Sequence, residues 1–223
     1  MGGPSEAQDR WLSGPLPPDP LPRLAQWLDE ALASQVQPLP EAMMLATVDP
    51  DGRPSARVVL CKGFDPKLGT LTFYTNRRSR KGRAVEHNPR VAAVFHWNHL
   101  HRQATVEGPV TEVPSEEADA YFESRPLDAR LSAWASDQSE PVDSRERLSA
   151  RMREFAERFG VSSDSGKVPR PPHWGGFRIH AERIELWVSR PGRVHDRAEW
   201  IRTLRTDAGG CEAGPWRPQR LQP

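Results

Sequence analysis

The sequence predicts a mainly β chain with peripheral α-helices, its strands forming a closed or sandwiched antiparallel sheet. Three observations point that way. Short β-favouring runs recur from residue 43 onward, with turn residues such as "DPDG" at 49–52 between them. Helical periodicity is confined to a few segments. The length, 223 residues, is within reach of one large β domain.

Residues 1–18, rich in Pro, Gly and polar side chains, read as a flexible arm without a core of its own, and residues 19–223 as a single domain. Asp19 as N-cap and Pro20 as first helical residue open a helix whose buried stripe is Leu24, Leu28 and Leu32, with Trp27 beside them. Runs 43–48 and 55–61, joined by "DPDG", predict a hairpin. Further strands are expected at 70–74, 91–97, 105–110, 177–180, 184–188 and 200–204. A helix starts at Ser115, carries Glu116 and Glu117 in its first turn where the helix dipole favours them, and stops at Pro126. Asp143 and Glu146 resemble a capping box for another, with Leu148, Met152, Phe155 and Phe159 as its apolar face. Residues 162–172, "SSDSGKVPRPP", read as a loop.

Lys plus Arg total 31 and Asp plus Glu 30, so no global field draws the chain to nucleic acid or an anionic membrane. The apolar run 42–48 falls far short of the roughly 20 residues of a bilayer-spanning helix. No Walker loop, GxGxxG or CxxC occurs. Cys61 and Cys211 are too few for a disulfide framework, and residues 1–10 lack the apolar stretch of a signal peptide, so a reducing cytoplasm is the expected compartment.

Charge is concentrated locally. "FYTNRRSRKG" at 73–82 places Arg77, Arg78, Arg80 and Lys81 together, after a strand and at the start of an expected helix, 79–87. Cations in a helix's first turn oppose its dipole. A bound anion reverses the sign, because free backbone N–H groups, the Ser79 hydroxyl and the basic side chains all face it. A solvated turn or a nucleic-acid patch is the competing reading of such a run. His96, His99 and His101 lack a nearby carboxylate or cysteine and read as turn histidines rather than metal ligands. No metal is expected.

Taken with "RVVLCKGFD", "RQATVEGPV", "YFESRP", "AWASDQS", "PPHWGGFRI", "RIELWVSRPGRVHDR" and the terminal "RLQP", that basic stretch completes a pattern that resembles the pyridoxamine 5'-phosphate oxidase family over residues 18–223. The resemblance implies an antiparallel split β-barrel of the FMN-binding type, Greek-key-like, with flanking helices. It implies FMN at a homodimer interface and molecular oxygen as electron acceptor. The expected cofactor contacts are Arg57, Lys62, Tyr74, Thr75, Ser79, Arg80, Lys81, Gln103, Gln138, Ser139, Trp187 and Arg197, some of them contributed by the second subunit. Substrate phosphate falls to Lys62, Tyr121 and Arg125, and the catalytic positions beside the substrate ring to Arg193 and His195.

The residues themselves fit these roles. Tyr121 and Arg125, four apart on an expected helix, share a face and grip one anion. Arg193 and His195, two apart in extended chain, point the same way. The expected reaction oxidises pyridoxamine and pyridoxine 5'-phosphates, the phosphorylated B6 vitamers, to pyridoxal 5'-phosphate and releases hydrogen peroxide. Ala129, where the family usually has Ser, and Arg130 and Ser132, in place of Gln and Gly, depart from the pattern. Alternatives are a related flavin oxidase of the phenazine-biosynthesis type, and a flavin- or haem-binding module without turnover. A nucleic-acid protein is disfavoured by the balanced charge.

Overall fold

The computed structural model describes residue 12 and residues 14–161, 166–207 and 210–223. In chain order the elements are α1 (Leu21–Ser34), β1 (Ala42–Val48), β2 (Pro54–Leu60), β3 (Gly63–Asp65), β4 (Thr70–Asn76), α2 (Arg80–His87), β5 (Arg90–Trp97) and β6 (Arg102–Glu112). Then follow α3 (Ser115–Ser124), α4 (Leu127–Ala135), α5 (Arg145–Arg158), β7 (Trp174–His180), β8 (Arg183–Val188), β9 (Asp196–Ile201), β10 (Leu204–Asp207), β11 (Gly210–Ala213) and β12 (Arg217–Leu221).

Every pairing is antiparallel, and the main sheet runs β12-β9-β8-β6-β5-β1-β2. Its branch point is β6. One edge pairs with β5, while the other pairs first with β8 through Arg102–Glu107 and then with β7 through residues 110–112. β7 carries β4, which carries β3, so the sheet divides and curls on itself into a split β-barrel. β5 and β6 alternate buried and half-buried residues, as strands with one core face must. The enclosed core includes Phe73, Phe95, Trp97, Ile179, Ile184, Leu186 and Trp200. α1 closes one end by setting Trp27 edge-on to Trp97 at 6.5 Å.

Several expectations shift by small, explicable amounts. Pro20, not Asp19, is the cap residue of α1, yet Asp19 still accepts the Leu21 N–H at 2.9 Å. α5 is capped by Ser144, whose Oγ accepts the Arg147 N–H at 3.1 Å, and Asp143 instead pairs with Arg147 at 3.0 Å. The strand expected at 200–204 ends at Ile201, since Arg202 turns inward to donate to Ala181 O. Where it is described, the arm is held to the barrel: Leu12 joins the core, Arg220 donates to Leu12 O, and the Trp200 indole donates to Pro17 O at 2.8 Å. The rest of the arm, residues 1–11 and 13, lies outside the described residues, as do residues 162–165 of the loop.

α4 was not expected. It lacks a side-chain cap and a strong amphipathic pattern, and is separated from α3 by two residues, Arg125 and Pro126. Together with α3 and α5 it forms a second apolar cluster on the barrel flank around Phe122, Leu131, Val168 and Trp174. No helix among the described residues is long and apolar enough to cross a membrane.

Candidate active site

A cavity of about 490 Å³ opens between β2, β4 and the α3–α5 cluster. Lys62, Tyr74, Thr75, Lys81, Tyr121, Arg125 and Gln138 of the expected set line it, together with Trp174. It has a cationic end and an aromatic end.

At the cationic end, α2 begins where the Ser79 Oγ accepts the Gly82 N–H at 3.3 Å. Gly82 is required there, because a Cβ would sit 2.1 Å from Arg77 O. Lys81 folds back, and its Nζ donates to Gln138 Oε1 at 2.8 Å, Thr75 Oγ1 at 3.2 Å and Ser79 Oγ at 3.3 Å. Burial, and then the charge of Arg57, push Lys81 down to about 8. Arg57 donates to Thr47 Oγ1 at 2.7 Å, to Leu45 O at 3.2 Å and to Ser55 Oγ. It too is lowered, first by burial and then by Arg80.

Two other cations of the stretch have carboxylates: Arg77 pairs with Glu112 at 2.8 Å, and Arg80 donates through Nε to Asp49 Oδ2 at 2.9 Å. Just beyond it, Arg83 pairs with Glu140 at 2.9 Å. Asp49, in the β1–β2 turn, thus supplies Arg80 with the anion that the sequence reading assigned to a ligand. Among the described residues Lys81 and Arg57 hydrogen-bond to neutral oxygens alone, with the Asp49 carboxylate acting on Arg57 from further off. A half-buried ammonium without a carboxylate partner, as at Lys81, is costly, and an anion beside it removes the cost.

At the aromatic end Tyr74 stacks on Tyr121 with centroids 4.0 Å apart and lies near-parallel to Trp174 at 5.4 Å. Gly176, opposite Tyr74 in the ladder, makes room, since a Cβ would come 2.7 Å from the tyrosine ring. The Tyr74 phenol is pushed up to about 12, first by burial and then by Glu117. Arg125 is the C-cap of α3 rather than part of it: the following Pro126 requires extended backbone, observed as φ −74 and ψ 148. Its guanidinium lies over Trp174 at 4.8 Å, and its buried Nη1 has no hydrogen-bond partner. Lys62 is engaged with Glu41 at 3.1 Å.

The remaining expected residues form a separate patch. Gln103 of β6 stands opposite Trp187 of β8, and Trp187 opposite Arg197 of β9, so the three share one outward sheet face. His195 rests on Trp187 with centroids 4.7 Å apart. Its Nδ1 accepts the Arg190 N–H at 3.1 Å, which places the proton of the neutral ring on Nε2. Arg193 is not in extended chain; it ends a 3-10 turn, Pro191–Arg193, in left-handed conformation at φ 62, so period-two alternation with His195 does not apply. Arg197 Nε donates to Glu185 Oε1 at 2.8 Å, which raises Arg197 above the usual guanidinium range. None of these five lines the cavity. Ser139, next to Gln138, is exposed with φ 78.

Trp174, Ser132 and Ser136 line the cavity without having been singled out as site residues. The "GG" that follows Trp174 was the available sign, because adjacent glycines in a strand mark close approach of a ring or ligand. Thr47 and Ser55, which hold Arg57, gave no sign in sequence.

Fold and cavity define a class first: a β-barrel protein whose cavity suits an anionic aromatic ligand. The chain belongs to the pyridoxamine 5'-phosphate oxidase family, since residues 28–159 match the model described as pyridoxamine 5'-phosphate oxidase and residues 174–223 that of the pyridoxine 5'-phosphate oxidase C-terminal dimerisation region. It is 48% identical over 206 residues to the pyridoxine/pyridoxamine 5'-phosphate oxidase of Rubrobacter xylanophilus, covering 92% of this chain and 88% of that one. With the protein of the same name from Bordetella petrii the identity is 50% over 204 residues, with 92% and 89% covered. Among solved structures, PhzG from Burkholderia lata, in complex with tetrahydrophenazine-1-carboxylic acid, matches with TM-score 0.78 at 28% identity, covering 95% of this chain and 96% of that one. A pyridoxamine 5'-phosphate oxidase-related, FMN-binding protein from Nostoc punctiforme shares the fold, with TM-score 0.68 at 19% identity and 94% and 100% covered.

Proposed function

We propose that the chain is an FMN-dependent oxidase converting pyridoxamine 5'-phosphate and pyridoxine 5'-phosphate to pyridoxal 5'-phosphate. One observation carries the reading: a single aromatic-walled cavity has a cation without a carboxylate partner at each end, Lys81 at one and Arg125 at the other, with Arg57 behind Lys81. Two phosphates, one from the cofactor and one from the substrate, meet that need. The family assignment supports both ligands.

Arg57, Ser79 and Lys81 hold the FMN phosphate, with Thr75, Gln138 and Ser139 alongside, and Arg80 contributes charge while tied to Asp49. Arg125, Tyr121 and Lys62 hold the substrate phosphate; Lys62 exchanges Glu41 for it. Each charge-assisted hydrogen bond to phosphate contributes about 1.5 to 3 kcal/mol. Bound FMN would supply the two-electron acceptor, with oxygen as the terminal oxidant, itself reduced to hydrogen peroxide. The amine substrate also consumes one water and releases ammonia; the alcohol substrate needs neither. Arg193 and His195 position the substrate through hydrogen bonds, His195 donating from Nε2, and form no covalent bond to it.

Gln103, Trp187, Arg193, His195 and Arg197 complete the site from the second subunit of a homodimer. In support, four of the five lie within the matched dimerisation region, 174–223, and none reaches the cavity of its own chain. Cys61 and Cys211 are free thiols, in keeping with a cytoplasmic protein.

The test is turnover. Protein supplied with FMN and oxygen forms pyridoxal 5'-phosphate and peroxide from either B6 phosphate, and is far slower with unphosphorylated pyridoxamine. Absence of turnover with both phosphates, in protein that has bound FMN, rejects this substrate class and directs attention to the tricyclic acids of the PhzG kind.

A further inference from the structure

The outward face of β6, β8 and β9 carries a ladder of charges behind Trp187. Arg183 and Glu185 precede Trp187 at two-residue spacing on β8, and Glu199 follows Arg197 at the same spacing on β9, so all share its face. Arg183 donates to Glu107 and Glu199 at 2.6 Å each and approaches Glu185 at 3.7 Å. Glu185 and Glu199 are 8% and 5% exposed, a depth at which a carboxylate persists as an anion only when paired. Glu185 Oε1 accepts from Arg197 Nε at 2.8 Å, and Arg197 Nη1 donates to Gln222 O at 3.0 Å.

This arrangement leaves the Nη2 edge of Arg197 as the part free for a ligand and fixes the plane in which it lies. It also sets the charge there. Glu107, Glu185 and Glu199 outnumber Arg183 and Arg197, so Arg197 does not act as an isolated cation.

We propose that Glu185 is a positioning residue for the oxidase: it orients Arg197 toward the flavin and moderates its charge, and thereby lowers the reduction potential of bound FMN. The inference rests on the reading that Arg197 meets the cofactor. Its physical basis is that a two-electron-reduced flavin is the more anionic form, so a cation beside it favours reduction. A carboxylate 2.8 Å behind that cation takes back part of the effect. The lower potential eases transfer of electrons onward to oxygen, which an oxidase requires of every turnover.

Glu185→Gln separates charge from geometry, since the amide oxygen still accepts from Arg197 Nε. FMN-loaded Glu185→Gln protein is expected to favour the reduced cofactor about tenfold over wild type, a midpoint about 30 mV more positive for a two-electron couple. FMN affinity, read by fluorescence, stays within a few-fold of wild type. Glu185→Asp, which keeps the charge but withdraws it by one methylene, gives a midpoint between the two. As a control, Glu199→Gln removes a carboxylate of the same ladder that makes no hydrogen bond to Arg197 and acts on it only at longer range, and shifts the midpoint clearly less than Glu185→Gln. Should Glu185→Gln fail to fold, Glu185→Asp and Glu199→Gln decide the matter. A wild-type midpoint in FMN-loaded Glu185→Gln or Glu185→Asp overturns the inference, as does an equal shift in Glu199→Gln. Wild-type protein that takes up no FMN overturns the oxidase reading instead.

Discussion

Lys81 shows how the surroundings of one side chain set its chemistry. Charged Lys81 is disfavoured in the fold, where it titrates at about 8 against 10.5 for the free side chain. Below about pH 8 both folded and unfolded chains carry the proton, and the fold bears the full cost of a buried unpaired cation. Between pH 8 and 10.5 the unfolded chain holds more protons, so stability rises with pH. Flavin-free wild type should therefore gain melting temperature across that window relative to Lys81→Gln, and FMN should abolish the difference; a parallel pair of curves without FMN contradicts it. Arg193→Ala should lower kcat/KM about 100-fold while FMN stays bound, because the residue is exposed and outside the phosphate end. Loss of flavin from this variant shows that its role is misassigned. Residue chemistry was only half legible in sequence. Arg77, Arg78, Arg80 and Lys81 read alike as a basic run, yet Asp49, 31 positions away, claims Arg80, while Lys81 turns to neutral oxygens. Such partners are set by tertiary pairing and leave no local trace.

At the scale of elements, the local code succeeded where it had strong terms. Antiparallel β1 and β2 around "DPDG", and α2 between a strand and Asn88, follow from turn and cap residues acting on their neighbours. α4 was missed because its stability comes from packing Leu131 into the Phe122–Trp174 cluster rather than from a cap or stripe. The α3 boundary had the opposite fate: Pro126 fixed it, and in doing so moved Arg125 off the helix and over Trp174. α2 offers the sharpest test. Ser79→Ala removes the acceptor for the Gly82 N–H and should cost about 1 kcal/mol of stability. It should also weaken FMN binding several-fold, since the hydroxyl beside Lys81 is lost. Unchanged melting and unchanged affinity together would mean that Ser79 neither caps the helix nor meets the cofactor.

For the whole molecule, the branching of β6 is what separates the two halves of the site. One edge of the strand leads through β8 to Trp187 and Arg197, while β7 and β4 lead to Tyr74 and Lys81. A curled sheet keeps these patches apart within one chain, and in the proposed homodimer a two-fold axis would bring one chain's patch to the other's cavity. The protein is accordingly expected to sediment at twice its chain mass, with dissociation into monomers releasing FMN. Monomers that keep FMN tightly bound contradict the shared site. Such assembly could not be read from hydrophobic pattern, because the strands involved alternate in the same way whether their outer face meets water or another subunit.

The central claim is that a flavin's phosphate is the counter-ion of Lys81, with Arg57 beside it. Titrating flavin-free protein with FMN and with riboflavin, which differ by that phosphate alone, measures it directly. Two charge-assisted contacts predict that FMN binds at least about 100-fold tighter, and that the margin falls by tenfold or more in Lys81→Ala. Equal affinities for FMN and riboflavin in the wild-type protein contradict the account.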